Sequence, residues 1–138
     1  MADRDNPGLS RRGPAVPESV ELGAALEHQD SAAVAFALRH GHVVVPLLSI
    51  DGPAQVRVFR ASAEDPYTLL LFSSAQNYVR MLPREADLRV LSYDRAQLVE
   101  FLEKHLDEIG TVWFDVAGPF PMQAAAAELL TALTLPLE

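Results

Sequence analysis

Thr68–Phe72 reads TLLLF, an unbroken apolar run bounded by a loop on one side and two serines on the other. A run of this length without alternation suits a central strand covered on both faces. A chain that must bury such a strand needs layers above and below it, so the rest of the sequence is read for what supplies them. Helical patterning flanks it. Leu98, Phe101, Leu102, His105, Leu106 and Ile109 recur at three- and four-residue spacing, opposite Glu100, Glu103, Lys104, Asp107 and Glu108. This predicts an amphipathic helix over 95–109, capped by Asp94 and ended by Gly110.

The same reading extends along the chain. Residues 1–17 hold Pro7, Gly8, Gly13, Pro14 and Pro17 with few large apolar side chains, and predict a flexible tail before a single domain over 18–138. Two helices are expected over 19–28 and 31–40, separated at Gln29-Asp30 by an N-cap signal, with Gly41 closing the second. HVVVPLL (42–48) predicts a strand, which Pro46 places at an edge or a bulge. Asp51-Gly52 predicts a hairpin turn into an antiparallel partner, QVRVFR (55–60). Beyond TLLLF come a helix near 75–82, a short strand 88–91, a strand 111–116, and a final helix from Met122 to Leu133 carrying only Glu128 as a charge. The expected fold class is α/β: a mixed sheet of about five strands, an N-terminal hairpin plus a parallel β-α-β-α-β portion, with a two-helix lead-in.

Charge and composition narrow the function classes. The 138 residues carry 11 Lys+Arg against 19 Asp+Glu, a net charge of −8. Three arginines against two aspartates leave the tail at +1, so the remainder carries −9. An acidic chain offers no general phosphate-binding face, so nucleic acid is not an expected partner. Cys is absent, which removes disulfides and thiolate metal ligands. No stretch of 18 apolar residues and no apolar leader is present, so neither membrane insertion nor export is expected, and a cytoplasmic location is.

Few residues point to chemistry. Ser73-Ser74 and Val116 to Pro121 form connections that leave predicted strands and precede predicted helices, where free N–H groups favour anions, and Asp115 is a carboxylate inside the last predicted strand. Ser73, Ser74, Asp115 and Gly118 are therefore the candidate ligand residues, using helix N-termini at 73–75 and 118–122. The same serines also suit ordinary capping, and Asp115 also suits a solvent-facing site or an acceptor for loop N–H groups. His40 and His42 form an HxH pair, but they straddle a helix end and a strand start, so no metal site is assigned. No cofactor and no catalytic residue are assigned either. Trp113, Phe120, Met122 and Leu130 lie in or near the last strand and the sparsely charged helix. They are the candidate interaction residues, with a protein partner or a homodimer expected.

Several of these segments together resemble the SseB-family N-terminal domain. The alanine- and leucine-rich lead-in precedes Val44-Val45-Pro46-Leu47 and Asp51-Gly52. Then come Thr68-Leu69-Leu70-Leu71-Phe72-Ser73-Ser74, similar to the family's strand ending in phenylalanine, threonine and serine, and the helix 95–109 with a final strand, turn and helix. The likeness covers about 20–136. Ser73 stands where the family usually has Thr, and Asp115-Val116-Ala117-Gly118-Pro119 replaces its Asn-Pro after the last strand. The resemblance implies a cytoplasmic α/β module of poorly defined function, linked in some members to secretion or toxin-related systems, and supplies no catalytic residues. The non-enzymatic interaction reading rests on the absence of a paired acid–base or nucleophile constellation, the sparsely charged last helix and the acidic surface. The expected function is thus protein interaction, with a small anion- or ligand-binding domain as the alternative.

Overall fold

Local capping sets the lead-in. The computed structural model describes residues 18–48 and 55–135, so the expected tail 1–17 and the Asp51-Gly52 turn lie outside the described residues. Ser19 caps α1 (Val20–Glu27) by accepting from Leu22 N–H. Gln29 then adopts a left-handed φ of 52°, and Asp30 caps α2 (Ser31–His40) by accepting from Ala32 and Ala33 N–H. Gly41 ends α2 without a left-handed turn: its φ is −127°, and a Cβ there would lie 2.9 Å from the Ala37 carbonyl oxygen.

Among the described residues, six strands follow in a mixed α/β arrangement: β1 (His42–Leu47), β2 (Val58–Phe59), β3 (Tyr67–Leu71), β4 (Arg89–Asp94), β5 (Ile109–Phe114) and β6 (Met122–Ala125). The interleaved helices are α3 (Ala75–Met81), α4 (Arg95–His105) and α5 (Ala126–Thr134). β1 and β4 form an antiparallel pair, and the order β2-β3-β5-β6 forms a second sheet in which β3 and β5 are parallel. Val44 and Phe72 exchange backbone hydrogen bonds of 2.9 and 3.0 Å, joining the two sheets.

The sheet separates two cores. Leu69 and Leu71 of β3, with Val112 and Phe114 of β5, face α1, α2, α4 and α5. Leu70 and Phe72 point the other way, with Val44 and Tyr78 of α3. TLLLF is thus covered on both faces, and Leu69, Leu71 and Phe72 are fully buried.

Tertiary pairing corrects several expectations. The strand at 89–94 pairs antiparallel to β1 instead of parallel to β3, so β3–β5 is the parallel pair. β1 is bordered on both sides: β4 pairs along its whole length on one, and isolated bridges from Val44 to Phe72 and from Leu47 to Val56 line the other. Pro46 is tolerated because its nitrogen faces the side where regular pairing gives way to an isolated bridge, Leu47 with Val56. The expected hairpin partner meets β1 only there, and Val58–Phe59 crosses to pair with β3. α4 ends at His105 instead of 109, because a turn at 106–108 hands Ile109 to β5; Gly110 lies inside that strand and ends no helix. Met122–Ala125 is a strand instead of the start of the last helix, since the open side of β5 pairs with it and overrides alanine's helix preference.

Two arginines anchor the last helix. Arg39 Nη1 donates to the Ala132 carbonyl (3.2 Å) and Arg95 Nε to the Leu133 carbonyl (2.8 Å). Both satisfy carbonyls at the negative end of α5.

Candidate functional site

The parallel register of β3 and β5 brings two candidate residues together. Leu71 lies beside Phe114, so the residues just past each strand meet. Asp115 N–H donates to the Leu71 carbonyl (2.9 Å), after which a φ of 47° turns the chain away, and Gly118 N–H closes that turn on the Asp115 carbonyl (2.8 Å). Asp115 is thus outside the strand that the sequence pattern assigned to it. Its carboxylate accepts from Ser73 N–H (2.8 Å) and Ser73 Oγ–H (2.6 Å), and it is only 4% exposed. Asn77 Nδ2 donates to Ser73 Oγ (3.4 Å), and Arg80 Nη1 to Asn77 Oδ1 (3.1 Å). Gly118 packs on this group, where a Cβ would sit 3.3 Å from Asn77 and from the Asp115 Cβ.

Ser73, Asp115 and Gly118 therefore share one buried network, while Ser74 caps α3 by accepting from Asn77 N–H. The arrangement defines its own chemistry. The N–H and O–H donors that an external anion would need are occupied by the chain's own carboxylate. The expected helix start at 118–122 is absent, because 122–125 is β6 and α5 begins at Ala126. Ser73 also accepts from Ser19 N–H through its carbonyl (2.6 Å), so the network ties α1, the β3–α3 turn and the β5–β6 turn together. Among the described histidines none is bonded to Asp115: His42 Nε2 donates to the Glu18 carbonyl, His40 stacks on Phe36, and His105 pairs with Glu108.

The four interaction candidates do not form one patch. Met122 and Leu130 pack against the larger core, and Trp113 packs half-buried against the smaller one on the opposite face. Phe120 stands in the turn, 38% exposed. The outer face of α5 needs no apolar cover: it presents Ala127, Glu128, Thr131 and Thr134, and both threonine hydroxyls donate back to helix carbonyls.

Three further features escape motif reading. Arg57 donates to Tyr78 Oη (3.0 Å) and, through both Nη atoms, to the Glu85 carboxylate (3.1 and 3.2 Å). The hydrogen bond to Glu85 raises the Arg57 pKa and lowers that of Glu85, while burial raises that of Tyr78. The residues lie 21 and 28 positions apart, so no local spacing announces them. A groove of about 540 Å³ runs between α4 and the sheet, with Tyr67, Tyr93 and Phe101 as its aromatic walls and Lys104 and His105 among its polar lining. Burial, with Glu100 nearby, raises the Tyr93 pKa.

The third feature is the outer edge of β4. Val44 directs its N–H and C=O to Phe72, so Val43, Val45 and Leu47 direct theirs to β4, where they meet Tyr93, Leu91 and Arg89. Val90 and Ser92 consequently point their backbone groups outward, and no described strand pairs with them. Leu91, between them, is 43% exposed. The amphipathic content of 88–91 signals a strand, but only pairing reveals that it is an edge. No helix among the described residues is long and apolar enough to cross a membrane. Comparison with known proteins adds no relative: no family model, no curated protein and no solved structure matches the chain.

Proposed function

We propose that this chain is a non-enzymatic interaction module that docks an extended polypeptide strand along the outer edge of β4. The observation that carries the reading is the row of outward backbone groups at Val90 and Ser92 flanking the exposed Leu91. An open edge of this kind is a template for strand addition, in which main-chain hydrogen bonds supply affinity and alternate side chains supply selectivity. Natural edges are commonly blunted by Lys, Pro or a bulge. Arg89–Asp94 contains neither Lys nor Pro, its charged residues Arg89 and Asp94 stand only at its two ends, and its register with β1 is continuous. The engagement of Asp115 by Ser73 supports the same reading, since it removes the most direct acid–base candidate. The likeness to SseB-family domains, resting on the residues quoted above, points to an accessory role as well.

Site-specific photocrosslinking tests it. A photoreactive residue at position 91 should form a discrete protein adduct in native lysate. The same residue at Phe36, an exposed apolar site on α2 at 58% exposure, should not. Equal labelling from both positions would refute a dedicated edge.

A further inference from the structure

We infer that the strand seated on β4 is β4 of a second copy of this chain, paired antiparallel across a two-fold axis at Leu91. The inference rests on the edge-docking reading and names its occupant.

The register follows from which backbone groups are open. In an antiparallel pair, two opposed residues either both point their N–H and C=O at each other or both point them away. Only even-numbered residues of β4 point outward, so a two-fold pairing must match even with even. Pairing centred on Ser92 would set Val90 against Asp94. Asp94 is already committed: its N–H donates to Gln97 Oε1 (2.9 Å), and its side chain accepts from Gln97 N–H (2.9 Å) in the capping box that opens α4. Pairing centred on Val90 would set Ser92 against Leu88, outside the strand, and Leu91 against the Arg89 position.

Pairing centred on Leu91 has neither defect. Val90 of each copy exchanges both backbone hydrogen bonds with Ser92 of the other, which uses the outward groups of both copies and no others. Leu91 then faces Leu91 at a non-hydrogen-bonded position, where opposed side chains come closest. The exposed apolar side chain in mid-edge is covered by its own equivalent. The result is one sheet continuous through β1, β4 and their two copies, an isologous interface that closes on itself and leaves neither β4 open.

The interface is narrow relative to obligate dimers, so a concentration-dependent equilibrium is expected instead of a permanent dimer. Sedimentation velocity on the full chain over a concentration series should show the mass rising from monomer toward dimer. Ser92→Pro removes an outward N–H and leaves the β1 ladder intact, so it should hold the chain as a folded monomer throughout, with unchanged circular dichroism. Leu91→Lys, a change at an exposed side chain, should do the same if the proline variant fails to fold. A wild-type chain that stays monomeric throughout, or a folded Ser92→Pro or Leu91→Lys variant that dimerises as well as wild type, overturns the inference. A monomeric wild type that still yields a discrete foreign adduct from position 91 overturns self-pairing alone and leaves the edge-docking reading standing. Equal labelling from positions 91 and 36 overturns that reading instead.

Discussion

Replacing Asp115 by Ala should be among the most damaging single changes outside the apolar cores. The carboxylate holds Ser73 through a backbone N–H and a hydroxyl, at 2.8 and 2.6 Å, in a place 4% exposed. Its loss leaves the buried Ser73 N–H without an acceptor, at about 1–3 kcal/mol, and deletes a charge-assisted hydroxyl bond of about 1.5–3 kcal/mol. Alanine at a φ of 47° adds about 1 kcal/mol of backbone cost. Against this, the variant no longer desolvates a carboxylate, which offsets several kcal/mol. The net expectation is a destabilisation of about 2–4 kcal/mol, or a fall in Tm of roughly 10 °C for a chain of this size. Urea unfolding followed by both circular dichroism and Trp113 fluorescence measures it and checks that the transition is two-state. Asp115→Asn, which keeps an acceptor for the Ser73 N–H, should fall between wild type and Ala. A double-mutant cycle with Ser73→Ala should return a coupling of about 1–3 kcal/mol for the hydroxyl bond. An Asp115→Ala variant within about 0.5 kcal/mol of wild type, the range of ordinary surface changes, would refute the reasoning.

The remaining predictions concern charge and capping. Glu85 has a lowered pKa in the folded chain because Arg57 bonds its carboxylate, so this pair's stabilisation is present above the ordinary Glu value of about 4.3 and is lost as pH falls through the folded value. Arg57→Met should therefore flatten the acid limb of stability against pH. Tyr78 has a raised pKa through burial, so its contribution is present below about pH 10 and is lost as pH rises through the folded value; Tyr78→Phe should remove that alkaline loss, read by thermal unfolding. Asp94→Ala breaks the capping box of α4 and should cost about 1 kcal/mol, with Asp94→Ser recovering most of it. Arg39→Met and Arg95→Met each remove a donor from the α5 carbonyls, and hydrogen exchange should report faster opening of 126–134, by about 1 kcal/mol per variant.

The sequence determined by itself those features whose cause is local. Ser19, Asp30 and Asp94 start helices because a side-chain oxygen reaches N–H groups two or three residues on, and Leu69-Leu70-Leu71 marks a strand buried on both faces because no polar residue interrupts it. The candidate site was half legible. Ser73, Asp115 and Gly118 stand out as polar or small residues beside apolar strands, but their meeting depends on β3 and β5 being parallel neighbours, a contact 42 residues apart. Tertiary structure decided what those residues do: in that register Asp115 fills the position of an anion and fastens the β3–α3 turn, and through Ser73 the start of α1, to the β5–β6 turn. It also decided strand identity wherever local signals conflict. Met122–Ala125 has the composition of a helix and becomes a strand because β5 offers it backbone partners. Arg89–Asp94 lies antiparallel to β1 because the N–H and C=O groups of Val43, Val45 and Leu47, directed away from Phe72, find their partners there. Its outer edge, the feature on which the functional reading rests, exists only once that pairing is made, since hydrogen-bond direction along a strand belongs to the pair and not to either segment alone.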